Sequence, residues 1–220
     1  MSGIERIKII KNNKGPGAWR FGVGHNAHSQ INQIYSNNFD LIDNSCEYVE
    51  VTPEEKLARY DIDFGVDVIL TLKNGSTCTI QEKILLTNFH TVTVEYHQDY
   101  KTSEPGNWFK LKCGFYFVGY IGHKNSSRLL RYILLDWNQV KRSNIDWQTD
   151  YNRKDNARSN FKYAPFGDFP ANSIIASQFN DYDRLEKRII ELKKQGYRAK
   201  ELINLLGQEF DYPIGLNEVK

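Results

Sequence analysis

Two β-rich runs, Asp67-Val68-Ile69-Leu70-Thr71-Leu72 and Ser76 through Ile84, are separated only by Lys73-Asn74-Gly75. An Asn-Gly pair between such runs is the strongest short-range signal for a β-hairpin. Whatever else the chain does, its middle folds as antiparallel sheet. A three-residue loop with Gly75 left-handed (a type I turn followed by a G1 bulge) pairs Leu72 with Ser76 and Asp67 with Gln81. Side chains alternate between faces, so Asp67, Gln81 and Lys83 then share one face at the open end, and Leu70, Leu72, Cys78 and Ile80 take the other. A two-residue Asn74-Gly75 turn shifts the register by one. It sets Glu82 opposite Asp67 and turns Lys83 away. Both registers put an acid beside a second oxygen donor; only the first adds the lysine.

The rest of the chain reads as α/β. Ile7-Lys8-Ile9-Ile10 is an arm or edge strand, followed by the Gly/Asn/Lys-rich stretch to Asn26. Apolar spacing at Ile31, Ile34 and Tyr35 predicts a helix over 27–39. Tyr48 to Val51 reads as a strand, and Thr52-Pro53-Glu54-Glu55 as a helix start with Thr as cap and Pro at the first helical position. Further strands are predicted at 91–96, 113–121 and 132–136. Residues 141–169 are polar and aromatic without periodicity. From Ser173 the pattern turns helical, with Leu185, Ile189 and Leu192 on one face, Gly196 as the stop and a second helix over 199–206. No window approaches about 18 consecutive apolar residues, which argues against a membrane span. The Met1-Ser2-Gly3-Ile4-Glu5-Arg6 start lacks the apolar core of a secretory signal. Three cysteines, Cys46, Cys78 and Cys113, without a CxxC pair, fit a reducing cytoplasm rather than a disulfide framework or a zinc site.

Twenty-nine Lys and Arg against 27 Asp and Glu give a formal charge of +2, so any attraction for nucleic acid must be local. Two stretches qualify. Lys187, Arg188, Lys193, Lys194, Arg198 and Lys200 make the C-terminal region basic. Its Gly-turn followed by Lys200-Glu201-Leu202-Ile203 resembles the first two helices of a helix-turn-helix, although Pro213 and Gly215 oppose a third. The alternative for this region is a two-helix cap or an oligomerisation element. Lys141-Arg142, Arg153-Lys154 and Arg158, interleaved with Trp147, Tyr151, Phe161 and Tyr163, form the second stretch, a DNA-contacting loop or an irregular surface segment.

An acid, a second oxygen donor and a lysine on adjacent strands suit a hard divalent cation, Mg²⁺ or Mn²⁺, with a positive group beside it. Gly65-Val66-Asp67-Val68-Ile69-Leu70, the Asn-Gly turn and Thr79-Ile80-Gln81-Glu82-Lys83 resemble the signature of the PD-(D/E)XK nucleases, which have the restriction-endonuclease-like fold. That signature is an acid opening one strand, then an acid, any residue and a lysine on the next. The resemblance implies a mixed β-sheet flanked by helices and Mg²⁺-dependent hydrolysis of phosphodiester bonds, usually in DNA. It implies Asp67 and the Gln81 carbonyl as metal ligands and Lys83 as the group that positions the attacking water. Gln81 departs from the pattern, an amide where an acid is usual, which removes one negative charge. Glu82, Glu47, Glu50, Asp61 and Asp63 are the candidates to restore it. The family often draws an extra acid from the preceding helix, where this chain offers Gln30 and Gln33. Glu95, on the next strand, either lines the same cleft or is simply exposed.

The five histidines offer no HExxH and no third ligand near His25 and His28. Gly22-Val23-Gly24 lacks the Gly-Lys-Ser/Thr ending of a phosphate loop. The expectation is therefore an α/β nuclease domain over 1–170 and a helical C-terminal extension over 171–220 that contacts DNA through Lys193, Lys194, Arg198 and Lys200. It would act as a cytoplasmic endonuclease of the restriction, homing or repair kind, dimeric if it cuts both strands. The alternatives are a nucleic-acid-binding protein without catalysis on the same fold, and a nuclease acting on RNA.

Overall fold

The computed structural model describes residues 2–9, 25–52, 54–55, 60, 63–86, 90–122, 126–151, 158–178 and 180–209, with the backbone alone at 9, 25, 180–186 and 207–209. In chain order the elements begin with β1 (Ile4–Ile9), α1 (His28–Asn38), β2 (Cys46–Val51), β3 (Val68–Thr71), β4 (Thr77–Leu85) and β5 (Thr91–Asp99). Then come β6 (Glu104–Pro105), α2 (Asn107–Lys110), β7 (Phe115–Ile121), β8 (Leu129–Asp136) and α3 (Trp137–Arg142). The last are β9 (Gln148–Tyr151), β10 (Asn160–Pro165), β11 (Ile174–Gln178), α4 (Asn180–Lys194) and α5 (Ala199–Glu209).

Seven strands form one mixed sheet in the order β11-β8-β7-β4-β3-β1-β2, parallel at β1/β2 and β4/β7 and antiparallel elsewhere. Helix α1 packs one face through Ile31, Ile34 and Tyr35, which meet Ile4, Val68 and Ile80 of the sheet. The other face is covered mainly by a second sheet, β6-β5-β10-β9, with Val92, Val94 and Ala164 packed on residues such as Val118 and Ile133, and Trp137 of α3 joins this layer. The molecule is thus mixed α/β, with a large sheet flanked by a few helices. The second sheet is the addition that sequence reading did not anticipate.

Several expectations need correction. The N-terminal strand is no edge: β1 lies between β2 and β3, paired on both sides, with Ile4 wholly buried. Its partners are about 40 and more residues away in sequence, so local pattern carries no sign of them. The aromatic stretch after Lys141 contains β9 and β10, which show no two-residue alternation because β9 is mostly exposed and β10 is buried only at Asn160 and Ala164. The region after residue 170 does not turn directly to helix. Strand β11 pairs with β8 first, so the sheet runs to Gln178 and the helices start at Asn180. Those two helices share a small core of Ile189, Leu192, Leu202 and Leu206. At the predicted helix start, Thr52, Glu54 and Glu55 form a turn in which Glu55 N–H donates to the Thr52 carbonyl at 3.1 Å, while Pro53 and residues 56–59 lie outside the described residues, as do Gly22-Val23-Gly24 and the segment 212–220. Among the described residues no helix is long and apolar enough to cross a membrane.

Candidate active site on the β3–β4 hairpin

The hairpin adopts the three-residue loop. Leu72 N–H donates to the Ser76 carbonyl and Gly75 N–H to the Leu72 carbonyl, both at 2.9 Å. Gly75 sits at φ +80°, the left-handed conformation the bulge requires. Val68 pairs with Ile80 and Thr71 with Thr77, which continues to Asp67 opposite Gln81. The one-residue shift to the other register would send the apolar set Val68, Leu70 and Ile80 away from α1.

Asp67 ends the ladder with its backbone fixed from both sides. Its N–H donates to the Ile80 carbonyl, and its carbonyl accepts from Ile7 of β1, each at 2.9 Å. One carboxylate oxygen, Oδ2, accepts from the Gln81 side-chain amide and from Glu82 N–H, the latter at 2.7 Å. The Gln81 Nε2 also reaches the Glu82 carbonyl at 3.2 Å. That leaves the amide oxygen. Gln81 is 8% exposed, and its Oε1 is buried with no hydrogen-bond partner. An acceptor left so is costly, by about 1–3 kcal/mol, and such exceptions call for an explanation.

Gly65 makes the room for that oxygen. It sits at φ +59°, and a Cβ there would stand 2.7 Å from Gln81 Oε1 and 2.8 Å from Leu111 Cδ2. Only glycine meets both the conformation and the space. Lys83, two residues along β4 on the same face, donates from Nζ to the Thr93 carbonyl of β5 at 3.0 Å. Burial pushes its pKa down to about 8, against the opposing pull of Glu95. Tyr116, opposite Gln81 on β7, donates to the same Thr93 carbonyl at 2.9 Å. Cys113 lies nearby as an inert thiol, pushed up to about 12 by burial.

Glu82 faces the other way. Its Oε1 accepts from Tyr35 Oη at 2.6 Å, and its Oε2 pairs with the Arg6 guanidinium. Arg6 also donates to Asn32 Oδ1 at 2.6 Å, and His28 Nε2 lies 3.9 Å from Glu82 Oε2. Burial works against the Arg6 charge, yet Glu82 in contact holds its pKa above the usual arginine value. Burial, with the Glu82 charge, raises the Tyr35 phenol well above its ordinary range. Glu82 therefore contributes its backbone N–H to Asp67 and its carboxylate to the α1 side.

The other proposed ligands are not brought to Asp67. Glu47 and Glu50 are exposed on β2, separated from β3 by β1, roughly 10 Å at the usual strand spacing. Glu50 pairs with Lys8 at 2.6 Å on the surface. Asp63 is exposed, and Asp61 lies outside the described residues. Gln30 accepts from Leu129 N–H and Gln33 donates to Asn37, so neither serves the hairpin. Glu95 is felt at Lys83 through its charge. Among the described residues no three His, Cys, Asp or Glu side chains gather to hold a metal ion. Lys193, Lys194, Arg198 and Lys200 are exposed around the α4–α5 turn, where Gly196 stands at φ +90°. Sequence reasoning missed Arg6 and Tyr35. The available signal was an arginine alternating with isoleucines in Ile4-Glu5-Arg6-Ile7.

Comparisons with protein-family models, with curated proteins and with solved structures return no match. The reading of the site rests on its own geometry.

Proposed function

We propose that the chain is a Mg²⁺- or Mn²⁺-dependent endonuclease cleaving DNA phosphodiester bonds, on a variant restriction-endonuclease-like fold. The observation that carries this reading is Gln81, whose amide nitrogen meets the Asp67 carboxylate while its Oε1 is buried without a hydrogen-bond partner, with Lys83 two residues on along the same face. Two hard oxygen donors suit Mg²⁺, which commonly takes one or two protein ligands and completes its shell with water and substrate phosphate. Asp67 and Gln81 would hold the ion. Bound there, it would acidify a water and polarise the phosphodiester.

The chain's own residues do the rest. Glu82 N–H and the Gln81 amide aim the Asp67 carboxylate. Lys83, poised near pH 8, orients the attacking water or carries its proton, and its positive charge meets the charge developing on phosphate. The exposed Lys193, Lys194, Arg198 and Lys200 supply phosphate contacts. Cutting both strands with one site per chain favours a homodimer. The second reading, a binding protein without catalysis, is favoured by one observation: neither Glu47, Glu50 nor the Glu82 carboxylate joins Asp67, so the pair carries a single negative charge.

The test is cleavage of plasmid and of duplex, single-stranded and branched oligonucleotides, with RNA alongside, in Mg²⁺ or Mn²⁺. Metal-dependent cutting of DNA that falls at least a hundredfold in both Asp67→Ala and Lys83→Ala supports the enzyme, since losing a positioned acid–base group alone costs about 10²–10⁴. Binding without cutting by the parent supports the second reading. Cutting of RNA alone moves the substrate class.

A further inference from the structure

Glu82 sits between Gln81 and Lys83 on β4, yet its carboxylate is on the opposite face, held by groups from two other elements. Tyr35 comes from α1 and Arg6 from β1. The side chains of Arg6 and Glu82 are 4% and 8% exposed, and Tyr35 is wholly buried, wedged edge-on against Phe117 at 5.9 Å. Asn32 accepts from Arg6 Nη2, while Arg6 Nε is buried without a hydrogen-bond partner. The carboxylate therefore has little freedom. Its backbone N–H, on the same residue, is one of the two donors that aim Asp67 Oδ2. Arg6 acts on Asp67 from a second direction too. It pairs with Val68 across β1 and β3, and its neighbour Ile7 donates to the Asp67 carbonyl.

We infer that Arg6, Glu82 and Tyr35 form a positioning clamp that sets the direction of the Asp67 carboxylate from behind the sheet. The inference rests on the site reading above and deepens it, since it assigns no ligand. A clamp of charge-assisted, short hydrogen bonds on three elements is stiff. Outer residues that orient a metal ligand commonly change affinity or activity by 10–100-fold. This also accounts for an acid at the position where Gln81 and Lys83 face the other way.

Tyr35→Phe removes one bond to Glu82 and keeps the ring's packing. Ile34→Val trims the same α1 core without touching the clamp, and stands as the control for stability alone. Two quantities separate the outcomes: Mn²⁺ affinity by paramagnetic resonance, and the Asp67 side-chain carboxyl resonance by ¹³C NMR without metal. The expected result is Mn²⁺ affinity about tenfold weaker in Tyr35→Phe and a moved Asp67 resonance, with Ile34→Val like the parent in both. If the parent binds Mn²⁺ and Tyr35→Phe matches it with an unmoved Asp67 resonance, the clamp is overturned and the site reading stands. If the parent binds no Mn²⁺, the site reading falls and the Asp67 resonance decides the clamp by itself: moved in Tyr35→Phe alone supports it, unmoved overturns it.

Discussion

The two faces of β4 carry polar residues in strict alternation, and they are treated oppositely. On the α1 face, both Glu82 carboxylate oxygens are paired, with Arg6 and Tyr35, although Arg6 Nε beside them keeps no partner. On the other face, Gln81 keeps an unpartnered buried oxygen, and Lys83 is held with its pKa lowered to about 8. The Glu82 carboxylate is held by an ion pair and a phenol, because an unpaired buried charge is strongly destabilising. The other face carries polar groups at a cost to stability. Two residues one position apart in sequence are thus placed in opposite environments.

The largest effect should come from breaking the paired face. Arg6→Met leaves Glu82 buried without its cation, and should cost about 3–5 kcal/mol in urea unfolding. The double variant Arg6→Met with Glu82→Met should recover most of that loss, because a well-packed apolar pair often replaces a buried ion pair without penalty. A double variant as unstable as the single one would contradict the view that this face is stabilised by pairing.

The next effect tests the other face through pH. Folded Lys83 releases its proton near pH 8 and the unfolded lysine at 10.5, so between those values the unfolded chain binds more protons. Stability from this group therefore rises as pH increases through that window. Lys83 costs the folded state of order 3 kcal/mol below pH 8, relieved by pH 10.5. Unfolding measured from pH 7 to 10.5 should show that rise in the parent and lose it in Lys83→Met, which should also be the more stable protein at pH 7. Equal pH dependence in both would mean that Lys83 is well solvated.

Gly65→Ala is the smallest of the three. A side chain there meets a left-handed backbone and the Gln81 amide oxygen at 2.7 Å. A loss of about 1–3 kcal/mol is expected, the usual range for a residue forced into such a conformation. Because Cβ would displace Gln81 Oε1, any metal-dependent activity should fall further than stability explains.

Much of this was legible in sequence because it is local. The Asn74-Gly75 turn allows two registers, each register sets which residues share a face, and so Asp67 opposite Gln81 was one of two pairings open before any fold was known. Helix α1 followed from its apolar spacing. Arg6, by contrast, meets Glu82 across 76 residues and Tyr35 meets it across 47. Neither contact leaves a local trace. Nor do the interior place of β1 and the β11 strand, whose partners are distant in the chain.

The sequence by itself determined the hairpin and narrowed its register to two, because turn geometry and strand alternation act over a few residues; the three-residue loop in the structure selects the one that puts Asp67, Gln81 and Lys83 on one face. Only the tertiary structure decided which face would be paired. It brought Arg6 and Tyr35 to Glu82, and laid β5 over Lys83 so that its ammonium lost water and gained the Thr93 carbonyl. Burial and pairing are properties of what packs opposite a residue, and that is settled only when distant segments meet.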